Sequence, residues 1–359
     1  MDELGVGIVG YGLAGRVFHK MLVDATPGLR VAAIMSRDAE KTARARAENP
    51  DAAVVGDFDA LVGHPNVDLV VLATPHDLHA TQAVAALDAG KAVVTDKIMC
   101  RSVAEADTMI AAAARNHKLL SVFHNRRWDT DFLTVRAALD RGLLGEVWSV
   151  DICVARPGMP LSPLGPDKRW RATQAGFGGQ LVDWGAHLMD QAVLLGGSEP
   201  DRVFCDLQFR HAGNETDSEG FVVLHYGSGL RITVTASVQT WIDRPHWFVN
   251  GSGGSLLIWD IDKQEWVMRE GRVPAGTAEA AMPADKVQLR SAQPCGDFAP
   301  VPGDWVAYYR NVRDALRGEA ELAVTAEQCR DALRVYERCF RDAGVVNETT
   351  AGRAAGLLG

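Results

Sequence analysis

The chain of 359 residues has no apolar run approaching the ~18 residues that a membrane-spanning helix needs. It has no low-complexity tract and no internal repeat, so fibrous, solenoid and disordered architectures are excluded as its main organisation. Its six cysteines (Cys100, Cys153, Cys205, Cys295, Cys329 and Cys339) are scattered, with no Cys-x-x-Cys pair and no His-Cys zinc spacing. They read as reduced, mostly buried thiols, and no metal site is expected. There is no basic excess: 37 Lys and Arg stand against 46 Asp and Glu, a net charge of −9, which argues against a nucleic-acid binder. Nor is there a basic leader, since the chain opens Met1-Asp2-Glu3; a cytoplasmic protein, bound neither to nucleic acid nor to membrane, is the expectation.

What is present is a change of pattern along the chain. The first third alternates strand and helix signals: "VGIVGYG" (6–12), a helical "RVFHKMLV" (16–23), a strand "LRVAAIMSR" (29–37) and a strand "VDLVVLATP" (67–75), apolar almost throughout. A helix "HATQAVAALDAG" (79–90) ends at a capping Gly90, and "KAVVTDK", the helix 102–116 and "KLLSVFHN" (118–125) close the series. Continuous apolar strands alternating with helices predict a doubly wound parallel sheet, buried on both faces. Beyond about residue 145, six closely spaced strand-like segments with Gly-containing turns, from "EVWSVDICVA" to "EWVMREG", predict a large, mostly antiparallel open sheet flanked by helices. The stretch 273–302 reads as a long surface loop. The expected division is a Rossmann dinucleotide-binding domain over 1–124 and an α/β substrate-binding and oligomerisation domain over 125–359.

Two constellations carry chemistry. "GYGLAG" sets Gly10, Gly12 and Gly15, with Leu13 and Ala14 between the last two, in the G-x-G-x-x-G pattern directly after a strand and before a helix. Gly10 permits the tight turn, Gly12 admits a pyrophosphate to the backbone, and Gly15 lets helix and strand pack closely. At the end of the second strand stand Ser36 and Arg37, where NAD-binding folds carry an acidic residue; a hydroxyl and a guanidinium there favour the 2′-phosphate of NADP. The alternative is that Asp38 turns inward and takes NAD. The second constellation is "GFGGQLVDWGAHLMDQ". In a helix from about Gln180, Asp183, His187 and Asp190 share a face at i, i+4, i+7, so that a carboxylate and an imidazole can share a proton. Gly176, Gly178 and Gly179 before it suit a backbone passing close to a ligand. Lys97, at the end of the apolar strand in "VVTDKIMC", reads by itself as a solvated strand-end lysine rather than a catalytic one.

Together these motifs resemble the glucose–fructose oxidoreductase/inositol dehydrogenase (Gfo/Idh/MocA) family. The glycine loop, "ATPHDLHATQAVAALDAGK", "DK" after a strand, "HNRRW", "GGQLVDWGAHLMD" and "ELAVTAEQCRDALRV" occur in that family's order over nearly the whole chain, most like the branch of NADP-dependent scyllo-inositol dehydrogenases and sugar ketoreductases. The resemblance implies hydride transfer between a nicotinamide and a secondary alcohol or ketone of a sugar or cyclitol, in a homodimer or homotetramer. It implies that Lys97 binds the reacting oxygen, that His187 is the general acid/base alone or with Lys97, and that Asp183 orients the substrate or the histidine. Thr74, Pro75, His79 and Asp96 would line the cofactor site, Trp170 and Arg171 would lie near the nicotinamide, and Asn125 and Arg127 would reach cofactor or substrate. Asp96 and Ile98 replace the Glu and Pro of the family's Glu-Lys-Pro motif. Because a non-proline cis bond costs about 2.5–4 kcal/mol, a trans Lys97–Ile98 bond in a repacked loop is expected. Redox-neutral sugar chemistry on a retained cofactor and a catalytically silent nucleotide sensor are the alternatives. Loops at 155–175 and 240–250 are expected to set the substrate.

Overall fold

The computed structural model describes residues 3–156, 169–211, 213–276 and 281–345. The first sheet has six strands, all parallel, in the order β3-β2-β1-β4-β5-β6. They are β1 (Leu4–Val9), β2 (Leu29–Met35), β3 (Ala53–Val55), β4 (Leu69–Leu72), β5 (Ala92–Thr95) and β6 (Leu120–Val122). Every residue of β4 and β5 is buried, as continuous apolar strands between two helical layers must be. Strand order reverses between β1 and β4, so the crevice beyond their carboxyl ends is where a doubly wound sheet takes a ligand. The glycine loop leaves β1 into this crevice and runs into a helical segment, Ala14–Lys20, continued by Met21–Asp24.

The second sheet has seven strands in the order β13-β12-β11-β7-β10-β9-β8. They are β7 (Val147–Ala155), β8 (Arg202–Gln208), β9 (Glu219–His225), β10 (Arg231–Ser237), β11 (Trp247–Gly251), β12 (Gly254–Ile258) and β13 (Val287–Ser291). All pairs are antiparallel except β7 with β10. The helix Ala326–Asp342 lies between the sheets. It is opened by a Thr325–Gln328 capping box, its Glu337 accepts the Val103 N–H of the first domain, and Asp342 accepts the Cys205 N–H of β8.

Three local expectations are corrected. "EWVMREG" is not a strand: Gln264–Arg269 is a short helix whose Gln264, Val267 and Met268 are buried, at helical rather than alternating spacing. The stretch 273–302, of which 277–280 lie outside the described residues, is not all loop, because Val287–Ser291 pairs with β12 as an edge strand. The single helix expected from Gln180 is two, Gln180–Asp183 and Gly185–Gly196, meeting at Trp184. A helix at Thr130–Asp140 was not anticipated; its Asp131 is fully buried and accepts from Trp247 and the Asp262 N–H. None of the six cysteines is in a disulfide, and among the described residues no helix is long and apolar enough to cross a membrane.

Candidate active site

The glycines of the first loop divide their roles by space. A Cβ at Gly10, whose φ is +97°, would lie 2.6 Å from the Ala73 carbonyl oxygen, and one at Gly15 would lie 2.0 Å from that of Gly10. A Cβ at Gly12 would meet nothing within 4 Å. Gly10 and Gly15 are therefore fixed by the protein's own backbone, while Gly12 faces open space at the end of β1, a cradle fit for a dinucleotide pyrophosphate. At the end of β2, Ser36 is buried, and Arg37 is exposed with no ion pair among the described residues. Asp38 does not turn inward: its Oδ1 accepts the Lys41 N–H at 2.8 Å and caps the helix Ala39–Glu48.

Lys97 leaves the end of β5 and crosses to the second domain. Its Nζ donates to Asp183 Oδ1 at 2.8 Å and to the Asp183 carbonyl at 2.5 Å. Arg171 Nη1 donates to the same Oδ1 at 2.5 Å. Burial alone would raise the Asp183 carboxyl; the Lys97 and Arg171 charges and their hydrogen bonds hold it well below the usual carboxylate range. The cluster is two cations on one anion, and its side chains keep 13% (Lys97), 25% (Asp183) and 33% (Arg171) exposure, so it opens to solvent. The Lys97–Ile98 bond is cis, correcting the trans expectation. Partners on both sides fix this segment in ways that sequence spacing does not reveal. Asp96 Oδ1 accepts the Lys97 N–H at 2.8 Å, the Ile98 carbonyl lies 2.9 Å from His79 Nδ1, and the Ile98 side chain is buried beside Met99 and Cys100.

His187 follows on the helix Gly185–Gly196. Asp183 is taken up by Lys97 and Arg171 and forms no hydrogen bond with this ring among the described residues, so the expected proton-sharing pair does not form. Instead His187 Nδ1 is buried without a partner, and the ring stands edge-on to His124 at 6.3 Å. Burial first, then the positive charges of Lys97 and Arg126, pushes the imidazole well below its ordinary pKa. The ring is neutral near pH 7, the protonation state from which a general base acts.

The other anticipated residues fall into two groups. Trp170, on the turn Arg169–Ala172, packs edge-on against His76 at 4.6 Å, and His76 Nδ1 lies 3.0 Å from the Phe177 carbonyl oxygen. Thr74 donates to Gln82, Pro75 opens the helix His76–Asp88, and fully buried His79 spans the Thr74 and Ile98 carbonyls. These lie with Lys97 at the crevice, as does Asp96, whose Oδ2 lies 4.0 Å from His19 Nε2. Asn125, on the turn Asn125–Trp128, is buried beyond β6. Arg127 is not brought to Lys97: Asp190 takes its Nε and Nη2 at 2.8 and 2.7 Å, and Nη1 donates to the Ala323 carbonyl and Gln328. Gly178 and Gly179 approach protein rather than ligand, since a Cβ at either would lie 2.0 Å from the Arg171 carbonyl oxygen or from Asp217 Oδ1, respectively. Residues 157–168 of the expected substrate loop lie outside the described residues. Sequence reasoning missed His76, one position past Pro75 in "TPHDLH", and His124, just before Asn125. His124, Asp190 and Cys329 hold potential metal-ligand atoms within 4.8 Å of one another, but Arg127 already occupies Asp190 as its counter-charge.

Comparison with known proteins agrees with this geometry. Residues 4–124 match the oxidoreductase family with an NAD-binding Rossmann fold (Gfo/Idh/MocA), and residues 132–257 match the Gfo/Idh/MocA C-terminal domain. Scyllo-inositol 2-dehydrogenase (NADP(+)) of Bacillus subtilis is 32% identical over 342 residues, covering 94% of this chain and 93% of that protein. The oxidoreductase YdgJ of Escherichia coli is 35% identical over 340 residues, covering 94% and 95%. The solved structure of the oxidoreductase yvaA from Bacillus subtilis matches with a TM-score of 0.87 at 30% identity, over 96% of this chain and 97% of that one. A glycine cradle at the switch point, a lysine carried from the first sheet to a carboxylate of the second domain, and these matches make the chain a member of the Gfo/Idh/MocA family of NAD-binding oxidoreductases.

Proposed function

We propose that the protein is an NADP-dependent dehydrogenase or ketoreductase that acts on a secondary alcohol or ketone of a sugar or cyclitol. In this reading residues 1–124 carry the nucleotide and residues 125–359 carry the substrate. The observation that carries it is the Lys97 amine, delivered from the switch-point crevice onto Asp183 with the neutral His187 ring on the adjoining helix. When bound, the nicotinamide supplies the hydride acceptor or donor.

The remaining chemistry falls to the chain's own side chains. Lys97 Nζ donates a hydrogen bond to the substrate oxygen and stabilises the negative charge that develops there. Asp183 and Arg171 fix the amine in place. His187, neutral near pH 7, takes the hydroxyl proton during oxidation; reduction runs in reverse from its protonated form, which gives that proton to the forming hydroxyl. NADP is favoured because Asp38 is committed to capping its helix, which leaves Ser36 and the exposed Arg37 to meet a 2′-phosphate. The family relative named above as an NADP(+) enzyme supports the same choice.

The test is a panel of inositols, aldoses and ketosugars with NADP(H) and NAD(H), followed at the reduced-nicotinamide absorbance. Turnover with at least one ring substrate, faster with NADP(H), is expected. His187→Ala lowers it by about 10²-fold or more while nucleotide binding persists. Full activity in that variant overturns the role given to His187.

A further inference from the structure

Five side chains in the second domain alternate aromatic and cationic groups: Trp305, Arg126, Trp184, Arg156 and Trp266. The Arg126 guanidinium carbon lies 5.3 Å from the Trp305 ring centre and 4.7 Å from that of Trp184. The Arg156 carbon lies 4.3 Å from Trp184 and 5.2 Å from Trp266. The ladder runs from the interior, where Trp305 is 1% exposed, to the surface, where Trp266 is 41% exposed. Its middle rung, Trp184, is the residue directly after Asp183.

The two arginines are treated differently. Arg126 is charge-matched: Nη1 meets Asp129 at 2.9 Å and Nη2 meets Glu265 at 2.5 Å. Arg156, half-buried at the end of β7, has no side-chain hydrogen bond and no ion pair among the described residues. The nearby Glu265 is already taken by Arg126 and, at 2.6 Å, by Arg269. A guanidinium partly withdrawn from water normally finds an acceptor, because its desolvation is otherwise uncompensated. Two indoles hold this one, which restricts its donors to the edge of its plane, the geometry that matches an oxyanion. The Asp183 on which Lys97 and Arg171 converge immediately precedes Trp184, the indole that Arg156 covers.

We infer that Arg156 receives an anionic oxygen group, a carboxylate or a phosphoryl, carried by the substrate ring, so that the enzyme prefers an acidic sugar or cyclitol to a neutral one. The inference rests on the reaction proposed above. The pyrophosphate of the cofactor is a different ligand, because its cradle lies at the end of β1 in the other sheet.

The experiment titrates the NADP-loaded full chain with glucose, glucuronate and glucose 6-phosphate, following tryptophan fluorescence, and measures kcat/KM for each ring that turns over. Wild type, Arg156→Gln and Arg156→Lys are compared by the ratio of acidic to neutral affinity within each protein, so loss of folded enzyme cancels. At least one acidic ring binds wild type about ten- to a hundredfold more tightly than glucose. That preference is lost in Arg156→Gln and partly kept in Arg156→Lys. A response to glucuronate alone identifies the carboxylate, and one to glucose 6-phosphate alone the phosphoryl. Equal affinity for acidic and neutral rings in wild type, or a preference that survives Arg156→Gln, overturns the inference. Selective binding without turnover of any ring instead overturns the dehydrogenase reading and leaves the anion site standing.

Discussion

Asp183 and Asp190 stand on the same helical stretch, and each faces a cation from another element, yet they end in opposite surroundings. Asp190 is sealed: its side chain keeps 4% exposure, Arg127 keeps 8%, and the guanidinium grips both of its oxygens. Asp183 lies at the helix break, shares one oxygen between Lys97 and Arg171, and remains a quarter exposed. The same carboxylate chemistry thus serves two ends. Where every donor is spent and water is excluded, an ion pair holds the fold together. Where an amine retains an unused donor at an open crevice, a ligand can compete for it.

The contrast breaks most visibly at Arg127. Arg127→Ala leaves Asp190 buried without its counter-charge, and urea denaturation should show a loss of about 3–5 kcal/mol. Lys97→Ala should behave in the opposite way. Its kcat falls by about 10²–10³-fold in the ring-substrate assay, while its unfolding free energy changes by under ~1 kcal/mol because Arg171 still holds Asp183. A Lys97 variant that unfolds, or an Arg127 variant that is stable but inactive, would reverse the assignments.

A third measurement uses His124, whose Nδ1 lies 3.7 Å from Asp190 Oδ2. Burial lowers its pKa to about 4 despite the attraction of Asp190, so it is neutral when folded and free to charge when unfolded. Its contribution is complete above the unfolded value near 6.5 and is lost as pH falls from there toward 4. Over that window it adds about 1.4 kcal/mol per pH unit to the slope of stability. Denaturation of wild type and His124→Gln between pH 4 and 7 should show the variant's shallower dependence. The smallest effect is expected at Arg171: with Lys97 still on Asp183, Arg171→Ala should lower kcat/KM by less than about tenfold.

The first sheet was legible because both its signals are local. Buried parallel strands are continuous apolar runs, and the glycine pattern is a short motif in which Gly15 is fixed by the backbone of Gly10, five residues away. Lys97 and Asp183 each drew attention in the sequence, but their contact spans 86 positions and no periodicity encodes it. The reverse error came from "EWVMREG", whose consecutive apolar residues Trp266, Val267 and Met268 read like a short strand although its burial is helical. Trp266 on that helix, Trp184 at the helix break and Arg156 at a strand end form a ladder only because three distant elements meet, so no spacing could have announced it. The cis bond before Ile98 was hidden for the same reason: His79, which meets the Ile98 carbonyl, belongs to a different helix.

The helix Ala326–Asp342 has a consequence for the order in which the molecule can be completed. Ribosomes deliver the first sheet early, and domains generally fold as they emerge. Yet Glu337 on this late helix accepts a first-domain N–H, Tyr336 donates to the Leu181 carbonyl beside the Asp183 turn, and Asp342 holds an edge strand of the second sheet. The Val103 N–H of the nucleotide half therefore lacks its Glu337 partner until nearly the last described segment of the chain has been made. Loss of that segment late in synthesis would deprive three parts of the molecule of partners at once, so premature termination there should yield a chain that is recognised as unfinished and not a shortened enzyme.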